Sequence, residues 1–251
     1  MYKESFLMAW ASLIANKLRS LLTMLGIIIG VAAVIALVSI GNGVKQDIED
    51  SISSLGSNLL VVLPGAPRTP GARSSQGSMK SLKISDYEAI AKLEGVKAAS
   101  PMTNGSYVVI YQNKNWTTSV AGVNSNFQDV NNWTMTSGRF FSDKNVQNRE
   151  RVAVVGQTVV KNLFADEDPV GKEIRVKNIP FRVIGVLKSK GNGTMGNDQD
   201  DTVLIPYTTS MERVEGIDYL RRVYVVAKDD GGIDRLQADI ENLVRVRHNI
   251  K

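Results

Sequence analysis

Apolar positions in this chain form one long unbroken run and many short ones. From Ser20 to Val44 the sequence reads SLLTMLGIIIGVAAVIALVSIGNGV, 25 residues without a charge. About 20 residues at 1.5 Å each cross a ~30 Å hydrocarbon layer, so residues 20–44 are predicted to form a transmembrane helix. A cleaved signal peptide is the alternative, but its apolar part is about 7 to 15 residues after a short basic start. Here 19 residues precede the run, and Phe6, Leu7, Trp10, Leu13, Ile14 and Leu18 recur among them at helical spacing. That pattern predicts an amphipathic helix over residues 1–19, lying at the membrane surface with Trp10 at headgroup level, or else a plain helix packed on the main body.

The flanks of the run set its orientation. Lys17 and Arg19 stand just before it, whereas Lys45 is followed by Asp47, Glu49 and Asp50. Basic residues stay on the cytoplasmic side, so the residues after about 45 are predicted to be extracytoplasmic. Gly26 and Gly30 make a GxxxG that lets a second helix approach closely, or that merely fills the span. Val44, Ile48, Ile52 and Leu55 continue an apolar stripe through a polar segment, which predicts a stalk to residue 55 with Ile48 and Ile52 on its apolar face.

Beyond the stalk the pattern shortens. NLLVVL at Asn58 to Leu63 predicts a strand stopped by Pro64 and Gly65, and residues 64–80 read as a Pro-, Gly- and Ser-rich basic loop. Ser85 and Glu88 suggest a capping box for a helix from Asp86 to Leu93. Strands are predicted at Val96 to Ala99, Ser106 to Tyr111, Thr117 to Val123, Arg151 to Val155, Glu173 to Val176, Phe181 to Leu187, Thr202 to Ile205 and Val223 to Ala227. Turns are expected at residues 113–115 and 178–180, and helices from Gln157 to Phe164 and from Ile233 to Arg247. Short strands without a repeated βαβ unit indicate an α+β body.

Composition narrows the chemistry. The net charge is +5, but residues 1–45 alone carry +3, so the body is nearly balanced and gives no reason to expect nucleic acid as a partner. There is no cysteine and one histidine, His248, which excludes thiol catalysis, disulfides and cysteine-ligated metals. His248, beside Arg245 and Arg247, is expected to face solvent. No GxxxxGK[ST] occurs, so the chain itself does not cradle nucleotide phosphates. The glycines of Gly191 to Gly196 suit a hairpin loop. Asp198, Asp200 and Asp201 are candidate calcium ligands, but lack the spacing of an EF-hand. Gly122, Gly156 and Gly185 each end an apolar run and read as turn or bulge positions. No catalytic residue, cofactor or metal is therefore expected.

Five segments carry a family resemblance. Arg19 to Gly43, SLGSNLLVVLPG from Ser54, GRFF at Gly138 to Phe141, VAVVGQTVVKNLF from Val152, and DPVGKEIRVKNIPFRVIGVL from Asp168 resemble MacB-type (MacB/FtsX-like) ABC exporter permeases, in that family's order. The resemblance implies a two-lobed extracytoplasmic α+β domain: residues 56–112 and 205–247 as an α/β lobe, and residues 113–204 as an inserted strand-rich lobe. It implies that residues 248–251 stop just before a second membrane helix. It also implies a permease that couples cytoplasmic ATP hydrolysis to movement of the outer domain by mechanotransmission. Partners would be an ABC ATPase subunit or domain, a second permease copy, an extracytoplasmic adaptor (membrane fusion) protein and membrane lipid. Two other classes remain open from the residues alone: a single-pass anchored binding or sensory module, and an anchored hydrolase using a Ser or Asp.

Overall fold

Lys17–Leu55 forms one helix, α1, of 39 residues without a break. At 1.5 Å per residue it extends ~58 Å, about twice the hydrocarbon thickness of a bilayer. Its apolar stretch Lys17–Ser39 has mean hydropathy 2.9 and is long and apolar enough to cross a membrane. This window begins and ends a few residues earlier than the predicted 20–44. Leu21, Leu22, Ile27, Ile28, Val34 and Leu37 on it are exposed among the described residues. The computed structural model describes residues 3, 4, 6, 8, 17–55, 58–65, 80–165, 167–193 and 196–249. Lys3, Glu4, Phe6 and Met8 are helical, and residues 17–19 of the predicted amphipathic helix open α1, while its other residues, Trp10 included, lie outside the described residues, as does most of the predicted basic loop.

Residues from Ile52 onward make a separate compact unit. Its strands are β1 (Leu59–Val62), β2 (Val96–Tyr111), β3 (Lys114–Val123), β4 (Met135–Gly138), β5 (Val152–Val155), β6 (Glu173–Val176), β7 (Ile179–Leu187), β8 (Thr202–Pro206) and β9 (Arg222–Ala227). They pair in the order β1-β9-β2-β3-β8-β5-β7-β4, and β6 pairs with β2 and β7. Most neighbours are antiparallel; β3 with β8 and β5 with β7 are parallel.

Strand β2 joins the two halves of this sheet and corrects the expectation of two short strands. Residues Val96 to Met102 pair with β9, and Thr103 to Tyr111 pair with β3. Pro101 lies where β9 is bonded but β3 pairing has not begun, so its missing N–H does not interrupt the ladder. The turns also differ from expectation by a residue or two. Tyr111 pairs directly with Lys114, so Gln112 and Asn113 form the turn. Lys177 and Asn178 turn between β6 and β7 with positive φ of 50° and 65°, the conformation of a tight two-residue hairpin, and Ile179 and Pro180 already belong to β7.

The helices are short except at the end. They are α2 (Ile84–Ile90), α3 (Phe127–Val130), α4 (Asp143–Gln147), α5 (Gln157–Leu163), α6 (Tyr207–Thr209), a π-helix at Ser210–Glu215, and α7 (Ile233–Arg247). The cap of α2 falls two residues before the predicted one: Lys83 is the cap residue, and the Asp86 carboxylate accepts its N–H at 2.9 Å. The sequence pattern predicts none of β4, α3, α4, α6 and the π-helix, because none carries an apolar period long enough to read.

Three apolar clusters fill the unit. One gathers Leu82, Ile90, Ala99, Leu220, Val223, Val225, Leu236 and Ile240, with Leu60 and Val62 packed against it. The second holds Val109, Val155, Val159, Leu163, Phe164, Ile174, Phe181, Val203 and Ile205. The third holds Val123, Phe127, Trp133, Phe141, Val154 and Leu187.

Candidate functional site

On α1, Gly26 and Gly30 lie one turn apart, and a Cβ built at either meets no atom within 4 Å. They leave a narrow flat strip at which another helix backbone can approach. Lys17 and Arg19 are exposed at the start of the helix. The backbone of α1 passes helically through residues 48 and 52, but the side chains of Ile48 and Ile52 lie outside the described set. Lys17, Arg19, Gly26 and Gly30 are thus spread along one element, and the backbone of residues 48 and 52 belongs to it as well.

The acidic residues Asp198, Asp200 and Asp201 point to three different elements. Asp200, 5% exposed, accepts the Ser189 hydroxyl and the N–H groups of Lys190 at 2.8 Å and Gly191 at 3.0 Å. Asp198 accepts the Thr158 hydroxyl at 2.6 Å and the Asp200 N–H at 2.8 Å, and Asp201 accepts the Trp116 indole N–H at 2.8 Å. Carboxylates occupied by separate donors are structural ties rather than one coordination shell. Among the described residues no cluster of three or more His, Asp or Glu is arranged to hold a metal. Asn192 bridges to Asp198, so these ties close the hairpin loop that the glycines suggested.

Ser210 is a buried serine beside an acid. Its hydroxyl donates to Glu215 Oε1 at 3.1 Å across the π-helix, and it is 1% exposed. A nucleophile needs a base and access to substrate. The chain's single histidine is bound elsewhere, and Ser210 is sealed, so this cluster is not built for hydrolysis.

His248 corrects the expectation of a solvent-facing side chain. Its Nε2 donates to Asp86 Oδ2 at 2.9 Å, while Arg247 Nε donates to Asp86 Oδ1 at 2.7 Å. The cause is the docking of α7 beside α2, which brings residues 161 and 162 positions apart into contact. Burial opposes ionisation of Asp86, but Arg247, the Lys83 N–H and His248 outweigh it and hold the carboxyl below its usual value. No sequence signal marked this group, since a His beside Arg245 and Arg247, outside any apolar period, reads as solvated. Lys190, placed 4.6 Å over the Trp133 ring, was also missed; desolvation lowers its pKa.

The GRFF segment has a local reason for its glycine. Gly138 has φ +70°, and a Cβ there would lie 2.3 Å from the Ile184 carbonyl oxygen. The following Arg139 N–H then donates to that same carbonyl at 2.9 Å, and the rings of Phe140 and Phe141 stack with centroids 4.3 Å apart. Any larger residue would push β4 off β7.

These features define a class: an α+β domain whose described polar clusters tie elements together, preceded by a helix able to cross a membrane. Its family is shown by comparison. The chain belongs to the MacB-like periplasmic core domain family, which it matches over residues 20–243. The macrolide export ATP-binding/permease protein MacB of Rhodospirillum rubrum is 45% identical over 249 residues, covering 98% of this chain and 38% of that protein. The protein of the same name from Chlorobium luteolum is 38% identical over 244 residues, covering 97% of this chain and 37% of its own length. The chain therefore spans little more than a third of these relatives. Among solved structures, the periplasmic region of MacB from Actinobacillus actinomycetemcomitans superimposes with TM-score 0.68 and 26% identity, over 79% of this chain and 87% of that one. The extracellular domain of the noncanonical ABC-type transporter YknZ from Gram-positive bacteria has the same fold, with TM-score 0.65 at 20% identity, over 77% of this chain and 96% of that one. The family and the apolar helix together fit a membrane-anchored extracytoplasmic domain.

Proposed function

We propose that this chain is the N-terminal permease portion of an ABC-type export system, in which cytoplasmic ATP hydrolysis drives its extracytoplasmic domain by mechanotransmission. The observation that carries the reading is helix α1, whose 39 continuous residues are about twice what a bilayer needs. A rigid rod that continues past the apolar window can pass displacement from the membrane to the domain that follows it. The family match over residues 20–243 supports the same reading.

The outer unit works as two lobes. Residues 56–112 and 205–247 make one, supported by the cluster that joins Leu60 and Val62 to Val223, Leu236 and Ile240. Residues 113–204 make the other, around Val155, Phe164, Phe181 and Val203. The partners are an ABC ATPase subunit or domain, a second permease copy facing Gly26 and Gly30, and an extracytoplasmic adaptor protein. Lys17, Arg19 and Trp10 hold the helix start at the lipid headgroups. ATP hydrolysis belongs to the ATPase and not to this chain. The relatives are named for macrolide export, so a macrolide is the first substrate to assay.

The stalk supplies the test. Replacing Ile48 and Ile52 together by Asp places charge on its apolar stripe, where burial against a neighbouring helix would cost several kcal/mol. In the assembled transporter export should stop while ATP hydrolysis continues. Export at the normal rate would refute mechanotransmission through this helix, and failure to recover an ATPase with the chain from membranes would favour an anchored binding module.

A further inference from the structure

Helix α7 outlasts its own apolar cover. Leu236 and Ile240 are buried, and Leu243 and Val244 pack half-buried on the same cluster, but Val246 is 76% exposed. Apolar burial thus ends at Val244, while the helix continues to Arg247. Last turns held only by their own hydrogen bonds fray readily. Here the turn is fastened from outside, because Arg247 Nε and His248 Nε2 each take one oxygen of Asp86, at 2.7 and 2.9 Å. The Asp86 side chain is 4% exposed, and its Oδ2 also accepts the Lys83 N–H at the start of α2. A buried carboxylate answered by an arginine, an imidazole and a backbone N–H is geometrically defined in a way that exposed ion pairs are not.

The clamp closes a loop of connected elements. In chain order β1 follows α1, and β1 pairs along its length with β9. Strand β9 leads through the short turn Asp230–Gly232 into α7. Helices α2 and α7 both pack on the cluster formed by β1, β9 and the start of β2. Only the end of α7 lies beyond that cluster.

We propose that Asp86 is a positioning residue which, with Arg247 and His248, clamps the last turn of α7 to the first turn of α2, so that a displacement entering through β1 reaches the end of α7 undamped. The second half of this proposal rests on the mechanical reading of the domain; the clamp itself does not.

The test uses the full chain in detergent micelles and then the assembled transporter. Asp86→Ala, and separately the double variant Arg247→Ala with His248→Ala, are compared with the unchanged chain by amide hydrogen exchange. Exchange at residues 245–249 should accelerate at least about tenfold, as loss of charge-assisted hydrogen bonds implies, while residues 236–243 keep their protection. The double variant alters two partly exposed side chains, so it reports even if Asp86→Ala fails to fold. Arg247→Lys should restore part of the protection. In the transporter both variants should cut export at least about fivefold, the lower range of measured couplings between sites, with ATP hydrolysis retained. Unchanged exchange at residues 245–249 overturns the clamp. Faster exchange with undiminished export overturns its role in transmission. Loss of the mechanical reading itself would show instead as export surviving Ile48→Asp with Ile52→Asp.

Discussion

The hydroxyl oxygens of Thr103 and Ser210 lie 2.9 Å apart, both buried, although 107 residues separate them. They meet where β2 passes from pairing with β9 to pairing with β3, and Gly122 of β3 is the residue that admits them. The expected turn or bulge at Gly122 is therefore a close approach within a regular strand.

Enlarging that glycine should be costly. A Cβ at Gly122 would sit 2.4 Å from Ser210 Cβ and 2.5 Å from Thr103 Oγ1. Gly122→Ala should destabilise the outer unit by about 1–3 kcal/mol, the range for overpacking a filled interior. Thermal unfolding should show a midpoint lowered by several degrees, and an unchanged midpoint would mean that the β2 and π-helix contact yields freely.

Asp200→Ala should be destabilising without any metal being involved. It strips acceptors from the Ser189 hydroxyl and from the N–H groups of Lys190 and Gly191. Ser189 is exposed and Lys190 and Gly191 half-buried, so water replaces part of the lost acceptor and the cost should be about 1–3 kcal/mol in total. Urea unfolding should reveal the loss with and without a chelator alike; a loss that disappears once a chelator is present would revive the metal site at Asp198, Asp200 and Asp201.

Stability should fall in acid partly through Asp86. Its carboxyl is held below the ordinary value of 3.8 in the folded chain. A carboxyl with a depressed folded pKa contributes stability that is complete above its unfolded pKa and lost as pH falls through the folded one. Urea midpoints measured from neutral pH down through about pH 4 and below should therefore drop less steeply for Asp86→Asn than for the unchanged chain. Parallel curves would show that Asp86 binds its proton equally in both states.

Topology follows from Lys17 and Arg19 before the apolar window and from Asp47, Glu49 and Asp50 after it. A reporter active only in the cytoplasm, fused after Lys251, should be silent, and one active only outside should function. Bright cytoplasmic signal would reverse the orientation.

Much of the architecture was legible in local pattern. The long apolar helix α1, β6 and α7 needed only an apolar run, a period of two or a period of 3.6, and their residues carry it without interruption. The family resemblance was legible too, because short segments such as GRFF and DPVGKEI occur in a fixed order. Where pattern failed, a partner distant in sequence was responsible. Ser100 to Gly105 looked like a break, since Pro101 and Gly105 disfavour an isolated strand, yet β9 and β3 pair through them from opposite sides.

The polar sites show the same division. Composition and order along the chain are enough to say which chemistry is available: no thiol, one imidazole, and acids in the loop after β7. What those groups do depends on the neighbours that folding brings to them. Folding turned Asp198, Asp200 and Asp201 toward three separate donors, and it drew His248 and Arg247 onto Asp86. Hydrogen bonds and ion pairs reach only a few ångströms, and nothing in the spacing of residues 86 and 248 encodes that distance. It exists because apolar burial of Leu236 and Ile240 carries the end of α7 to α2.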